Sequence, residues 1–564
     1  MPTEPPGSPK LSIAQALETA VASHGRGDLA QAEPLYQAVL AANPAHGVAL
    51  QLLGVLRAQQ GRHDEGIGLI RAAIDGNPGY AEAHMNLGIV LGQLGRYDEA
   101  RASLNAALGI DPGLANAHFH LGNALLALGR HAEALDSYRK ALALAPQFAD
   151  AHNNAGAALI ALGRNAEAID SFRLAIAINP AHLDAHSNLG SALNDANRPD
   201  EAMAMCRKAL AIDARCAEAH ANLGVALGSL GRYAEATASL QRALEINPGY
   251  PEAHWNLGVV LLTLGDYARG WQEWEWRWRS RSLPLKPEPP RPRWHGSEDL
   301  AGKTLLLHAE QGFGDTLQFA RFAPLAARGG ARVVLQAQAA LKPLLAGLPG
   351  VSAVIADDEP LPACDFQCPL LSLPLALGTT LDNLPAVAPY LAADAEALAR
   401  WRQRLGEPRG LRVGLVWSGR RDHKINPVRS IAPERLLPLL SVEGMTFVSL
   451  QKDVSAGDVE LLRAHPEILD LGSSLRDFSD TAALLALLDL VISVDTSVAH
   501  LAGALGRPLW LLLAYAADWR WLTGREDCPW YPTARLYRQP QPGDWDRAVE
   551  RVRQALVARA AAGA

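Results

Sequence analysis

From Ile13 onward the apolar positions of the chain return every 34 residues, in units that start at Ile13, Gly47, Ala81, Ala115, Ala149, Leu183, Ala217 and Pro251. The third unit reads AEAHMNLGIVLGQLGRYDEARASLNAALGIDPGL and the seventh AEAHANLGVALGSLGRYAEATASLQRALEINPGY. This spacing predicts two helices per unit, joined at "LGRYDEA" in the third. Gly88 and Ala100 are small where the two helices cross, and Pro112 ends the second of them. One helical pair cannot bury its apolar face alone, so eight units are expected to stack into a right-handed superhelix with a concave groove.

Leu87, Gly88, Ala100, Leu104, Ala107 and Pro112 fall at the positions of a tetratricopeptide repeat, which sets the array at residues 13–282. The sixth position of successive units, on the helix that faces the groove, holds Asn86, His120, Asn154, Asn188, Asn222 and Asn256. A ladder of carboxamides can donate to and accept from the backbone of an extended peptide. Asparagine is a poor helix former, so five of them at one position suggest use, and Asn86, Asn154, Asn188, Asn222 and Asn256 are read as acceptor-peptide contacts. The fourth position carries His84, His118, His152, His186, His220 and His254, which are read as packing between neighbouring repeats.

The last repeat helix, WQEWEWRWRSR, places Trp271, Trp274 and Trp278 in one stripe, expected to seal the array against the next domain rather than to stack on a sugar. LPLKPEPPRPRWHG is proline-rich and cannot continue a helix, so residues 283–300 are read as a stiff linker whose arginines form a solvated face. Beyond it the period changes. TLLLHA, RVVLQAQ and VSAVIA are short buried strands alternating with helical segments, and LRVGLVWSG, MTFVSLQK, LVISVD and PLWLLLA form a second such series. Apolar strands alternating with helices imply parallel sheets. The expected fold is thus an all-α repeat superhelix followed by two Rossmann-like lobes, residues 301–395 and 396–564, facing a cleft.

Composition narrows the class without changing that picture. The chain has 564 residues, 49% hydrophobic and 20% charged, with a net charge of -7, so nothing points to nucleic acid. Five scattered cysteines, Cys206, Cys216, Cys364, Cys368 and Cys528, suit reduced thiols and neither a disulfide framework nor a metal site. There is no apolar run of membrane-spanning length and no signal-like N-terminus, so a cytoplasmic protein is expected.

Candidate chemistry gathers at LVISVDTSVAHLAGALGRP, residues 490–508, where a buried strand runs into Asp495, Thr496, Ser497 and His500. In open α/β sheets ligands bind at the carboxyl ends of strands. Thr496, Ser497 and the N–H groups after Asp495 open a helix, a ready anion site. The plainer alternative is that Asp495 caps the helix and His500 is a satisfied core histidine. Two further segments favour a ligand. WSGRRDHKINPVRS supplies Ser418, Gly419, Lys424 and Arg429, a loop suited to phosphates, and Gln451 at the end of MTFVSLQK joins the same set. EQGFGD brings Asp315 to the opposite wall, with Gly312 and Gly314 expected to let backbone approach a substrate. Transfer from a nucleotide-linked sugar needs such a pair: groups that hold the phosphates as leaving group, and a base for the acceptor hydroxyl.

GFGD after the first strand and ISVDTSVAHLAGALGRP in the second lobe resemble the heptosyltransferase-like GT-B glycosyltransferases, over residues 303 to 540. The resemblance implies Asp315 as catalytic base. It implies Asp495, Thr496, Ser497 and His500 as contacts to the donor's diphosphate and sugar, Lys424 as a phosphate contact, and an inverting mechanism. No D-x-D sits at a strand end, which disfavours a metal-dependent GT-A mechanism, so no metal is expected and no cofactor beyond the nucleotide-sugar co-substrate. Repeats followed by such a domain resemble bacterial proteins that glycosylate flagellin on serine or threonine in the cytoplasm, and echo the O-GlcNAc transferase architecture. Glu310 and Gln311 depart from the heptosyltransferase pattern, which has small or hydroxylated residues there. Trp519, Trp521, Trp530 and Tyr531 close to the site suit stacking on a sugar or wall packing equally well. Two other functions stay open: a repeat scaffold with an inactive transferase half, and a heptosyltransferase with a glycolipid acceptor.

Overall fold

The structure is a computed structural model that describes residues 12–280, 283, 285–407, 410–420 and 426–563. The chain divides into two compact units that meet between Ala214 and Arg215.

The first unit holds six repeats, each a 13-residue helix followed by one of 14 residues, from Ile13–Gly25 and Leu29–Ala42 to Leu183–Asp195 and Pro199–Ile212. Helix crossings explain the glycines. A Cβ on Gly122 would lie 2.5 Å from the Tyr138 ring, and one on Gly156 would lie 2.6 Å from Phe172. The turn inside each repeat needs a left-handed residue, met by Gly95, Gly129 and Gly163 at φ of 73°, 73° and 72°, and in the sixth repeat by Asn197 at 55°. The fourth-position histidines pack as read. Nε2 of His84, His118, His152 and His186 meets the proline carbonyl six residues earlier at 3.1, 3.1, 3.1 and 3.0 Å.

The second unit begins with the last two repeats, helices Ala217–Ser229, Tyr233–Ile246, Pro251–Thr263 and Tyr267–Trp274, closed by the 3-10 turn Glu275–Trp278. Two parallel sheets come next. The first comprises β1 (Thr304–His308), β2 (Arg332–Ala337), β3 (Val351–Ala356) and β4 (Phe366–Pro369), in the order β3-β2-β1-β4. The second comprises β5 (Leu411–Val416), β6 (Met445–Ser449), β7 (Ile468–Asp470), β8 (Leu490–Val494), β9 (Leu509–Leu513) and β10 (Ala534–Arg538), in the order β10-β9-β8-β5-β6-β7. Counted within its lobe that order is 3-2-1-4-5-6 when read from the other face of the numbering, the Rossmann arrangement, and its switch point lies between β5 and β8. β4, β7 and β10 are not evident in the sequence, being short or mixed in polarity: FQCP, ILD and ARLYR.

One apolar core joins the last repeat to both lobes. It contains Tyr267, Trp271 and Trp274 with Leu305, Phe319, Leu501, Trp519 and Trp530. Trp271 and Trp274 therefore seal the array as expected, each packing on Trp519 with centroids 5.3 and 5.8 Å apart. Trp278 does not share their stripe, because the helix stops at Trp274; its ring lies beside the guanidiniums of Arg277 and Arg293. The proline-rich segment also differs from its reading. Trp294 N–H donates to the Gln367 carbonyl at 2.8 Å and Gln367 N–H to that of Pro292 at 2.9 Å, so the segment is bonded along β4. Arg293 is not solvated: it pairs with Glu275 and, at 3.5 Å, with Glu288. The cause is the buried carboxylate pair Glu275 and Glu310, which needs cations. Arg277, fully buried, bonds Glu310 at 2.8 Å and Glu275 at 2.7 Å.

Candidate functional site

Asp315 sits in the first turn of the helix Phe313–Phe319, which comes after β1. Its Oδ2 accepts the Gly312 N–H at 2.9 Å, closing the helix end, and Oδ1 pairs with Arg520. The strand-to-helix turn is fixed by Gln338, which accepts from Thr316 at 2.9 Å and donates to the Gln311 carbonyl at 2.7 Å. This helix packs against Ser497–Ala504, the helix after β8 in the other lobe. Gly314 makes that approach possible, since a Cβ there would lie 2.8 Å from Cδ2 of His500. What the missing side chain admits is thus the His500 ring, a correction to its reading as room for a substrate.

At the switch point, β5 delivers Trp417 and Ser418 beside Gln451. The Gln451 carboxamide accepts both of their N–H groups at 3.2 and 3.1 Å and donates to the Ser418 carbonyl at 3.0 Å. Read as a donor contact, Gln451 is 4% exposed, and these bonds hold the loop in place. Ser418 Oγ bonds Ser430 Oγ at 3.2 Å, and Arg429 fills the space beside Gly419, 2.5 Å from where a Cβ would stand. Lys424 lies outside the described residues.

β8 delivers the acid and imidazole. Thr496, not Asp495, caps the helix: its Oγ1 accepts from Ala499 N–H at 3.4 Å and lies 3.1 Å from Ser493 Oγ. That leaves the Asp495 carboxylate free of the capping role and Ser497, half-buried, as the first helical residue. His500 Nε2 is 3.8 Å from Asp495 Oδ1, its Nδ1 is 2.9 Å from the Tyr531 hydroxyl, and Trp521 stacks on the ring at 5.2 Å. Burial, then the cations Arg520, Arg321 and Arg429, hold the imidazole well below its usual pKa and hence neutral. The neutral ring thus faces Tyr531 with Nδ1 and Asp495 with Nε2. Burial and the negative charge of Asp518 push the Asp495 carboxyl up to about 6, against the pull of Arg429 and Arg520.

Arg520 and Asp518 were not anticipated from the sequence. The guanidinium bonds Gln318 Oε1 at 2.7 Å, Asp518 Oδ1 at 2.8 Å and Asp315. The available signal was an arginine between two tryptophans just past the strand PLWLLLA, in a stretch whose aromatics stand out more. Those aromatics prove to be wall: Trp519, Trp521, Trp530 and Tyr531 are buried, and Trp530 Nε1 donates to the Tyr267 hydroxyl at 2.8 Å. Among the described residues, Gln318 Nε2, Arg429 Nε, Trp417 Nε1 and Trp521 Nε1 around the cluster are buried without an acceptor. Glu310 and Gln311 have local duties, the first to Arg277 and the second through its carbonyl to Gln338.

In the repeats, Asn154 donates to Asn123 Oδ1 at 2.9 Å and accepts from Asn153 at 3.0 Å, while Asn188 donates to Asn153 at 3.0 Å. The amides thus bond across neighbouring repeats in the free protein. Asn86, Asn222 and Asn256 are half-buried, as are Asn154 and Asn188. Among the described residues no group of three or more His, Cys, Asp or Glu is arranged to hold a metal ion, and no helix is long and apolar enough to cross a membrane.

Known proteins match in the same two parts. Tetratricopeptide repeat models match residues 25–81, 81–147, 119–182, 159–224 and 226–265. The model of glycosyltransferase family 9 (heptosyltransferase) matches residues 459–530, which include Asp495, His500 and Arg520 but not Asp315. Protein FlbA of Caulobacter vibrioides is 31% identical over 295 residues, 47% of this chain and 48% of that protein, so the chain spans about half the length of the curated relative it matches. Among solved structures, YrrB, described as a TPR protein with an unusual peptide-binding site, is 25% identical with a TM-score of 0.29, covering 33% of this chain and 95% of its own. MamA is 26% identical with a TM-score of 0.28, covering 29% and 97%. The chain therefore joins tetratricopeptide repeats to an α/β region that resembles glycosyltransferase family 9 (heptosyltransferase) over residues 459–530.

Proposed function

We propose that the α/β domain is a GT-B transferase that moves a sugar from a nucleotide-sugar to a serine or threonine hydroxyl of a polypeptide held by the repeats, with no metal taking part. The observation that carries this reading is the Rossmann switch point. The ends of β5 and β8 bring Ser418, Arg429, Asp495 and the first turn of Ser497–Ala504 together, and the Asp315 helix packs against them from the other lobe. The donor's diphosphate lies at the N–H groups around Ser497 and at Arg429. Asp495 accepts from a sugar hydroxyl. Asp315 takes the acceptor's proton; the freed oxygen attacks the anomeric carbon, the bond to phosphate breaks, and the nucleoside diphosphate leaves with its charge held. Each Asp315 oxygen retains a lone pair beyond its bond to Gly312 or Arg520, so the carboxylate can accept a proton without leaving its place.

The asparagines bind the acceptor backbone in this account, and flagellin, implied by the resemblance alone, is the first acceptor to try. Calorimetric titration of UDP, GDP, ADP and TDP into the full chain tests the donor half. One of them binds, and Arg429→Ala weakens it by about 1.5–3 kcal/mol if its bond is charge-assisted. A protein that takes up none of the four, or an unchanged affinity in the variant, contradicts the placement.

A further inference from the structure

We propose that Arg520 is a positioning residue for Asp315, and that through it the terminal repeat is part of the transfer machinery. This rests on the transferase reading above. The 3-10 turn Trp519–Trp521 sends three consecutive side chains to three parts of the second unit. Trp519 goes to the last repeat, packing edge-on against Trp271 at 5.3 Å and against Trp274 at 5.8 Å. Arg520 goes to the first lobe, where it bonds Gln318 and Asp315 on one helix. Trp521 goes to the second lobe and stacks on His500.

The guanidinium has no latitude. Asp518 holds Nη1 at 2.8 Å, Gln318 holds Nε at 2.7 Å, and the cation lies over the Trp519 ring at 4.3 Å. Its remaining arm meets Asp315, whose own flexibility is thereby removed. A planar fork with several donors fixes a carboxylate's direction, which a point charge cannot do. Three carboxylates, Asp315, Asp495 and Asp518, act on this one buried cation, so its loss would leave them repelling one another. Trp519 is in turn placed by Trp271, whose indole N–H donates to the Thr379 carbonyl at 3.1 Å. A displacement of the last repeat helix is therefore felt at Asp315 through two side chains. The repeats accordingly do more than carry an acceptor, because the final one sets the geometry of the base.

The test uses the full chain and two readouts. Amide hydrogen exchange over residues 313–319 reports whether Arg520 holds the Asp315 helix. Nucleotide release from a panel of UDP-, GDP-, ADP- and TDP-linked sugars gives kcat and KM for the donor. In Arg520→Gln, exchange at 313–319 speeds up roughly tenfold or more, and kcat falls about 100-fold while donor KM moves less than about threefold. Arg520→Lys keeps the charge but not the fork and recovers an intermediate kcat. Trp271→Phe shifts kcat in the same direction with KM unchanged. Wild-type kcat, or unchanged exchange, in Arg520→Gln overturns the proposal. If that variant does not fold, full kcat with unchanged exchange in Arg520→Lys overturns it instead. A wild-type chain that releases nucleotide from no donor would sink the transferase reading, and the exchange arm would still decide whether Arg520 holds Asp315.

Discussion

In the repeats of the first unit the recurring charges stay outside, and Arg57, buried beside Glu33 at 2.5 Å, is an exception. Arg96–Glu99, Arg130–Glu133, Arg164–Glu167 and Arg198–Glu201 recur every 34 residues as exposed pairs three apart, at 2.7, 2.6, 2.6 and 2.6 Å. In the second unit, by contrast, Arg277 pairs with Glu310 at side-chain exposures of 0% and 1%, and Arg520 at 8% pairs with Asp315 at 18%. Exposed pairs of this kind add little to stability, and helix geometry alone places them. Buried ions need a partner, a reason and a fixed geometry, because desolvation opposes them. The contrast teaches where to look in this molecule. Regularity marks the part that holds itself together by apolar stacking, and carboxylates converging on one buried guanidinium, at Arg277 and at Arg520, mark the part that does something else.

The largest effect that would sharpen this contrast comes from Arg277. Arg277→Ala leaves Glu310 buried without its cation, while Glu275 keeps Arg293, and should cost about 3–5 kcal/mol. Chemical denaturation of the full chain should show this loss in the transition of the second unit; an unmoved midpoint would break the contrast at its strongest point.

Next is the pH profile. Asp495, raised to about 6 by burial and Asp518, is a neutral carboxyl below that pH and a carboxylate above it. If the carboxylate binds the donor, kcat/KM climbs about tenfold per pH unit on the acid side and levels off above about 6, and Asp495→Asn abolishes that limb. Its sign in stability is opposite: a folded pKa above the unfolded one means that ionisation costs folding free energy, which is lost as pH rises from about 4 to about 6. A flat profile through this range would detach Asp495 from the donor.

The smallest effect lies in the ladder. Asn154, Asn188 and Asn222 changed together to alanine should weaken capture of the polypeptide acceptor, at about 0.5–1.5 kcal/mol per lost bond, and leave donor turnover as it was. Normal capture would make the ladder the inter-repeat packing that Asn123, Asn153, Asn154 and Asn188 already form.

How much could be read beforehand followed the same division. The repeats were legible down to single helices because each glycine and each histidine answers a local need that recurs: a helix crossing at Gly122, a proline carbonyl at His118. The core strands β1, β5, β8 and β9 were legible as unbroken apolar runs, and the switch-point residues followed from where two of them end. Arg520 was not legible, since its partners Asp315 and Gln318 lie 205 and 202 residues away in sequence. Nor was the pairing of Arg293, which depends on carboxylates from the last repeat and from the segment before β1.

Asp315, proposed as the base facing a bound nucleotide-sugar, is met directly by one measurement. With the donor that the wild-type chain turns over, Asp315→Asn should bind as tightly by calorimetry while nucleotide release to the acceptor falls at least about 100-fold. Turnover near the wild-type rate in that variant would contradict this, because Asp315 would then not be the base.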